Sequence, residues 1–314
     1  MNLLQQTTNH VLMVRPAHFA FNPQTAQNNA FQKESGQKED AIHWCALAEF
    51  DLFVSQLLAH RMKVTVVQDT LEPHTPDSIF PNNGFSLHHD GTLVLYPMFA
   101  PNRRLERKPG IRTALEQNFT IEHVVDLTHY EAQEKYLEGT GSMILDREHR
   151  IAYACRSPRT HEQVFFDFCR QLDYRPILFD ALDRNSRPIY HTNVMMCVAA
   201  EYMIVCLESV TAVADREAIL SAAAATHKEV IPISITQMEH FVGNMLQLHN
   251  TDGNPLLVLS STALSNLTPV QKATLESFNP LLASEIPTIE ENGGGSVRCM
   301  LAECFAPPKT SPRP

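Results

Sequence analysis

One cysteine stands in a setting unlike the other six. Cys299 ends the run Glu290, Glu291, Asn292, Gly293, Gly294, Gly295, Ser296, Val297, Arg298 and is followed by Met300. Glycines let backbone approach a ligand closely, and a neighbouring guanidinium favours the thiolate, the form of cysteine that attacks carbon. The alternative is a glycine bulge entering a strand, with Cys299 as a small buried hydrophobe. Far upstream, Glu138 opens Glu138-Gly139-Thr140-Gly141 and His191 opens His191-Thr192-Asn193, while Asn82, Asn83 and Asn244 also stand just before apolar runs. A thiol, an imidazole and a carboxylate are the minimum for thiol-based group transfer: nucleophile, general acid/base, and the group that orients the base. Taken singly, each has a plainer fate. A histidine in an apolar stretch is commonly a hydrogen-bonded core residue, and a glutamate before glycine an exposed turn residue.

The elements that must gather these residues repeat. A polar or glycine-containing turn, an apolar strand, a short turn and a returning apolar strand recur at 80–96, 138–155, 191–207 and 242–259, and the run 293–305 comes last. Their starts lie about 50 residues apart, a period that marks repeated supersecondary units. Helical spacing follows at 104–118, 161–172, 215–226 and 269–278, the last opened by Thr268 as N-cap and Pro269 at the first helical position. Short strands are expected at 121–125, 176–179, 230–233 and 285–289. The start of the chain supplies a strand at 11–14, a helix at 40–60 and a strand at 64–67, giving an α/β fold of about five ββαβ units. Such units fit a five-bladed, pseudo-symmetric α/β propeller, in which the turns converge on one axial pocket. Asn82, Asn83, Glu138, His191, Asn193, Asn244 and Cys299 then become neighbours. An open, doubly wound sheet is the competing architecture.

A single catalytic domain is expected over 1–306, with a frayed tail over 307–314 that holds four prolines. The connection 15–37 is rich in Asn, Gln and Pro and is long for a compact domain, as lids over active sites are. Seven cysteines without a C-x-x-C pair point to free thiols in a reducing cytoplasm. No basic and apolar leader is expected at the N-terminus, and no membrane span, since the most apolar stretch, 194–207, is interrupted by Glu201. A formal charge of -10 argues against a general grip on nucleic acid. The basic cluster from Arg103 to Lys108 reads as a solvated helix face. Homo-oligomerisation is compatible with the sequence and undecided by it.

The motifs resemble a known group. Glu138-Gly139-Thr140-Gly141, His191-Thr192-Asn193 and the glycine-rich approach to Cys299-Met300 are similar to the Glu, His-x-Asp/Asn and terminal Cys motifs of the guanidino-group-modifying (amidinotransferase/arginine deiminase) superfamily. The resemblance spans residues 11–305 and implies the propeller, Cys299 as nucleophile, His191 as acid/base and Glu138 as its carboxylate partner. Val14-Arg15-Pro16, the segment 22–29, Phe80-Pro81-Asn82-Asn83 and the run 241–246 most resemble the citrulline-utilisation hydrolase branch. Arginine deiminases carry aspartates where this chain has Asn83 and Asn193. Neutral amides forfeit a charge-assisted grip on a guanidinium, ~1.5–3 kcal/mol, and offer a urea both a donor and an acceptor. The resemblance therefore implies hydrolysis of citrulline to ornithine, carbon dioxide and ammonia through an S-carbamoyl enzyme, without cofactor or metal. Deimination or amidino transfer on a guanidino substrate is the alternative, and a silent binding propeller a third reading. Asn82, Asn83, Asn193, Asn244 and Arg15 are the substrate-binding candidates, with Arg156 another for the amino-acid end.

Three further signals are set aside. His161-Glu162 lacks a second histidine four residues on, His88-His89-Asp90-Gly91 reads as a hairpin turn, and Cys304 would face away from Cys299 on one strand.

Overall fold

The computed structural model describes residues 4–309. Among the described residues, fifteen strands form five three-stranded sheets. In chain order they are β1 His10–Arg15, β2 Lys63–Gln68, β3 Phe85–Leu87, β4 Thr92–Leu95, β5 His123–Asp126, β6 Met143–Asp146, β7 Ile151–Cys155, β8 Arg175–Phe179, β9 Met196–Val198, β10 Tyr202–Val205, β11 Glu229–Pro232, β12 Leu246–His249, β13 Pro255–Ser260, β14 Leu281–Ser284 and β15 Ala302–Glu303. Four sheets share one plan: an antiparallel hairpin whose second strand pairs in parallel with a third across a helical crossover. The fifth joins the two ends of the chain. Central β1 is antiparallel to β15 and parallel to β2, with Val11 opposite Glu303 and Val64.

Each sheet is entered through the same turn. The N–H of Asn83 donates to the carbonyl of Phe80, Gly141 to Glu138, Val194 to His191, Asn244 to Phe241 and Cys299 to Ser296. The fivefold repeat is thus an identical i to i−3 hydrogen bond in five places. Four junctions between turns are hydrogen-bonded as well. Asn82 Nδ2 donates to Thr140 Oγ1, Thr192 Oγ1 to the Ser142 carbonyl, Asn244 Nδ2 to the Asn193 carbonyl and Arg298 N to Asn244 Oδ1. At the remaining junction Phe80 packs so closely on Gly293 and Gly295 that a Cβ there would lie 2.7 and 2.9 Å from its ring. A Cβ at Gly243 would lie 2.3 Å from the Val194 carbonyl oxygen.

Several boundaries differ from those the sequence predicts. The expected strand at 285–289 lies earlier, as β14, and Pro287–Gly293 is a helix. Pro287 is its first residue, and Glu49 accepts from the N–H groups of Thr288 and Ile289 at 2.8 and 3.0 Å. A proline at the first helical position was the available signal. The predicted helix 104–118 is two, Pro101–Arg104 and Pro109–Asn118, because Pro109 forces Lys108 into the extended region. Pro307 and Lys309, in the expected tail, are hydrogen-bonded to the rest of the fold: Thr120 N donates to the Pro307 carbonyl and Lys309 N to that of Asn118. The rest of the expected tail, 310–314, and residues 1–3 of the N-terminal reading lie outside the described residues. The stretch 194–207 contributes β9 and β10. By length and composition, Glu39–Ala59 is instead the helix apolar enough to cross a membrane among the described residues. Its Ile42, Ala46, Phe50, Phe53 and Leu57 are buried in the core beside β1.

Buried histidines leave a thermodynamic mark. His88, on the hairpin turn, is buried between Ser86 Oγ at 2.8 Å and Arg147 at 3.4 Å. Burial first, then the nearby arginines, hold it well below its ordinary value. The folded protein keeps His88 neutral while the unfolded chain protonates it below about pH 6.5, so its contribution is lost as pH falls. A His88→Gln variant, which can still reach Ser86, lacks that penalty. Its stability deficit at pH 7 should shrink on acidification from pH 6.5 by up to ~1.4 kcal/mol per pH unit, read from urea midpoints. A deficit independent of pH would contradict this assignment.

Candidate active site

Cys299, His191 and Asn83 line one narrow cavity, about 10 Å³ to a water-sized sphere, together with Asp77, Phe80, Arg103, Arg159, Tyr190 and Gly293 to Gly295. Thr25 and Asn29 complete its wall. The segment 15–37 therefore covers the cavity, and it is anchored there. Asn29 Nδ2 donates to the carbonyls of Gly293 and Gly294, and Lys33 N to that of Glu291. Within this segment Pro23–Ala26 is a short helix capped by the Asn22 side chain.

Glu138 is fully buried, and its Oε2 lies 2.8 Å from His191 Nε2. A carboxylate can only accept, so Nε2 carries the proton and Nδ1 is the free basic nitrogen. The backbone N–H of Phe99 donates to Oε1 at 2.9 Å, and Arg159 Nη1 to Oε2 at 3.4 Å. Burial alone would raise the carboxyl's pKa. Arg159, the hydrogen bond from His191 and the more distant Arg103 overcome it and hold Glu138 well below the usual carboxylate range. Burial likewise governs His191, lowering it to about 4 despite the opposing pull of Glu138. The resting pair is thus a carboxylate beside a neutral imidazole. Gly141 makes room for it, since a Cβ there would lie 2.3 Å from Asn83 Nδ2 and 2.8 Å from His191 Nδ1.

The surroundings of Cys299 correct one expectation. The Arg298 guanidinium turns away from the sulfur, donating to the Leu301 carbonyl and to Glu303 Oε2. Two amides face the sulfur instead: Asn193 Nδ2 at 3.2 Å and Asn244 Nδ2 at 3.3 Å.

Asn83 is oriented by a neighbour that can only donate. Arg103 Nη1 gives a hydrogen bond to Asn83 Oδ1 at 2.7 Å, so the amide nitrogen must face the other way, 3.4 Å from the Glu138 carbonyl. Arg103 is itself clamped by both carboxylate oxygens of Glu106, at 2.8 and 2.9 Å. Asn82 lies behind the turn with Oδ1 unpartnered, and Asn193 Oδ1 is also buried without a partner.

The remaining candidates do not converge. Arg15 pairs with Asp51 at 2.8 Å on the exposed side of β1, and Arg156 with Glu162 and Asp180. The cavity's own charged groups are others. Arg103, read from sequence as part of a solvated basic face, is only 2% exposed. Arg159 is equally buried, reaching the Thr25 carbonyl and Asn28 Oδ1 from the segment that covers the site. Asp77 accepts from Asn22 and Thr25 through Oδ2 while Oδ1 has no partner, and burial raises its pKa despite Arg103. For Arg103 the sequence held a signal in Pro101, which starts the short helix, but none for the depth of its burial.

A mixed α/β fold of five three-stranded sheets, entered by repeated turns around a cysteine, is that of the amidinotransferase superfamily. The family model described as N,N dimethylarginine dimethylhydrolase, eukaryotic, matches residues 15–306, and the chain belongs to that family. No curated protein matches it. Similar solved structures include ArgZ, an arginine dihydrolase from the ornithine-ammonia cycle in cyanobacteria, at 17% identity and TM-score 0.72, covering 95% of this chain and 41% of that one. The chain thus spans about two fifths of full-length ArgZ. The N-terminal domain of an ArgZ variant, covalently bound to a reaction intermediate, is covered to 99% at 18% identity and TM-score 0.71, over 95% of this chain. A variant of dimethylarginine dimethylaminohydrolase, as its adduct with S-methyl-L-thiocitrulline, matches at 13% identity and TM-score 0.64 over 95% of this chain and 99% of that one.

Proposed function

We propose that the chain is a cysteine hydrolase that releases ornithine, carbon dioxide and ammonia from citrulline. The observation that supports this most directly is the neutral amide of Asn83 in the cavity wall: Arg103 holds its oxygen, and its nitrogen, 3.4 Å from the Glu138 carbonyl, keeps a second N–H to donate. A ureido oxygen can accept from that donor, whereas a guanidinium has only donors to offer. In this reading the five sheets close as a propeller around the cavity, and 1–306 act as one catalytic unit. Cys299 gives its proton to His191 Nδ1 as Sγ adds to the ureido carbon, the bond from that carbon to the ornithine nitrogen breaks, and His191 passes the proton to the departing amine. Water then adds to the S-carbamoyl carbon, giving up a proton to His191 and freeing the thiol and carbamate, which decays to carbon dioxide and ammonia. Glu138 keeps Nδ1 as the working nitrogen. Asn193 and Asn244 steady the sulfur, Arg103 and Arg159 hold Asn83 and Glu138 in place, and the unpartnered Asp77 Oδ1 accepts from the substrate ammonium group.

A second reading is favoured by the names of the similar proteins: hydrolysis of arginine or a methylated arginine by the same residues. Amidino transfer would additionally require an acceptor amine. Incubation with citrulline or with arginine, followed by measurement of ornithine, citrulline and ammonia, separates them. Ornithine from citrulline is expected, and turnover confined to arginine or methylarginine would replace the ureido reading. The Asn83→Asp/Asn193→Asp variant should shift the ratio of kcat/KM for arginine over citrulline upward by about 10- to 150-fold, the equivalent of ~1.5–3 kcal/mol. An unchanged ratio in an active variant would remove the amides from specificity.

A further inference from the structure

Three buried carboxylates, those of Asp77, Glu106 and Glu138, surround the buried guanidinium of Arg103. Glu106 takes it with both oxygens, from Nε at 2.8 Å and from Nη2 at 2.9 Å, while Asp77 Oδ2 lies 3.9 Å from Nε and Glu138 Oε2 lies 4.0 Å from Nη1. Glu106 therefore holds the guanidinium against two carboxylates that are engaged elsewhere. Pairing through two parallel hydrogen bonds also fixes the plane of the guanidinium, which a single contact would leave free to turn. With that plane fixed, Nη1 donates to Asn83 Oδ1 at 2.7 Å and Nη2 to the Phe80 carbonyl at 3.2 Å.

Glu106 itself does not line the cavity that holds Cys299. It stands in the wall of a second cavity, about 100 Å³ to a water-sized sphere, beside Phe85, Leu93, Leu95 and Ile111, and Arg103 lines both cavities. That apolar setting is costly for a charge: burial pushes the Glu106 carboxyl up to about 7 against the pull of Arg103. Among the described residues, Arg103 accounts for every hydrogen bond of the Glu106 side chain. A buried ion pair adds little net stability, since desolvation offsets the attraction, so its effect has to be sought in the arrangement it enforces.

We propose that Glu106 is a positioning residue for specificity: by holding Arg103 away from Asp77 and Glu138, it keeps the Asn83 oxygen occupied and the amide N–H available to the substrate. This role rests on the ureido reading, in which the Asn83 N–H meets the substrate oxygen. Once the Glu106 carboxylate is gone, the guanidinium moves to the counter-charges 3.9 and 4.0 Å away, Asn83 Oδ1 loses its donor, and the amide is free to rotate. An oxygen turned into the cavity accepts from a guanidinium, so the preference shifts from citrulline toward arginine.

Binding tests this, measured by calorimetry on the full chain carrying Cys299→Ala so that neither ligand is consumed. Added Glu106→Gln, which keeps the volume and one acceptor, should raise the ratio of arginine affinity to citrulline affinity about 10-fold. In an Asn83→Ala background the same change should move the ratio by less than about twofold, because a residue that acts through Asn83 then has nothing to act on. A crystal structure of Glu106→Gln should show Arg103 Nη1 withdrawn from Asn83 Oδ1. Glu106→Asp, which keeps the charge but shortens the reach, should shift the ratio the same way by less, and it carries the test if Glu106→Gln does not fold. An unchanged ratio in both variants, an equal shift with and without Asn83, or Arg103 still seated on Asn83 overturns the proposal. If Cys299→Ala binds arginine and not citrulline, the ureido reading fails by itself, and Glu106 is judged on arginine alone, whose affinity should rise in Glu106→Gln only while Asn83 is present. A chain that binds neither ligand overturns both.

Discussion

Ornithine release from citrulline should fall by about 10⁴-fold or more in Cys299→Ala, with the fold retained. In the proposed reaction, removing the sulfur deletes the nucleophile, and neither neighbouring asparagine can replace it. The side chain is buried but small, so the accompanying loss of stability should be about 1 kcal/mol, and a normal urea midpoint would separate chemistry from folding. Cys299→Ser tests the same point with the volume kept, because a hydroxyl held by two amide donors is a far weaker attacking group. Mass spectrometry of a quenched wild-type turnover should find the carbamoyl group on this residue. The other thiols give a clean background. Burial pushes Cys155, Cys169 and Cys197 up to about 12 and also raises Cys206 and Cys304. Cys45 is exposed, so iodoacetamide labelling belongs in a Cys45→Ala background. Full activity in Cys299→Ala would end the thiol mechanism.

The reach of the sequence has a physical boundary. Glu138, His191 and Cys299 were legible because the chain repeats one turn, and residues at its first and last positions recur at a fixed phase. Glu138 and His191 supply the accepting carbonyl of that turn, while Asn83, Asn244 and Cys299 supply its donating N–H. Periodicity along the chain therefore became proximity in space. Arg103, Arg159 and Asp77 carry no such phase. Each is a charged residue whose burial depends on partners far along the chain, Glu138 and the segment 15–37 among them, and local composition makes such residues look solvated. Arg298 misled for the opposite reason: adjacency in sequence to Cys299 was taken for adjacency of side chains. β14 was displaced because Ile286 and Ile289 extend the apolar pattern past the strand, although Pro287 had already begun a helix.

Charge removal at Glu138 should show how much of the site depends on that buried network. In Glu138→Gln, the Phe99 N–H still demands an acceptor at the position of Oε1, so the amide nitrogen is placed at the position of Oε2. It would then donate to His191 Nε2, which must become the accepting nitrogen, and the imidazole proton moves to Nδ1. The base faces the wrong way. Turnover should drop by about 10³- to 10⁴-fold, with a KM much less affected. Stability should fall too, since Arg159 and Arg103 lose a buried counter-charge, and breaking a buried pair from one side costs about 3–5 kcal/mol. Glu138→Asp separates the two effects: it keeps the charge for the arginines but retracts the carboxylate from the ring. That variant should recover most of the urea midpoint and little of the rate. If Glu138→Gln instead kept near-normal turnover while only its midpoint fell, the carboxylate would be a counter-charge for Arg159 and no partner to His191.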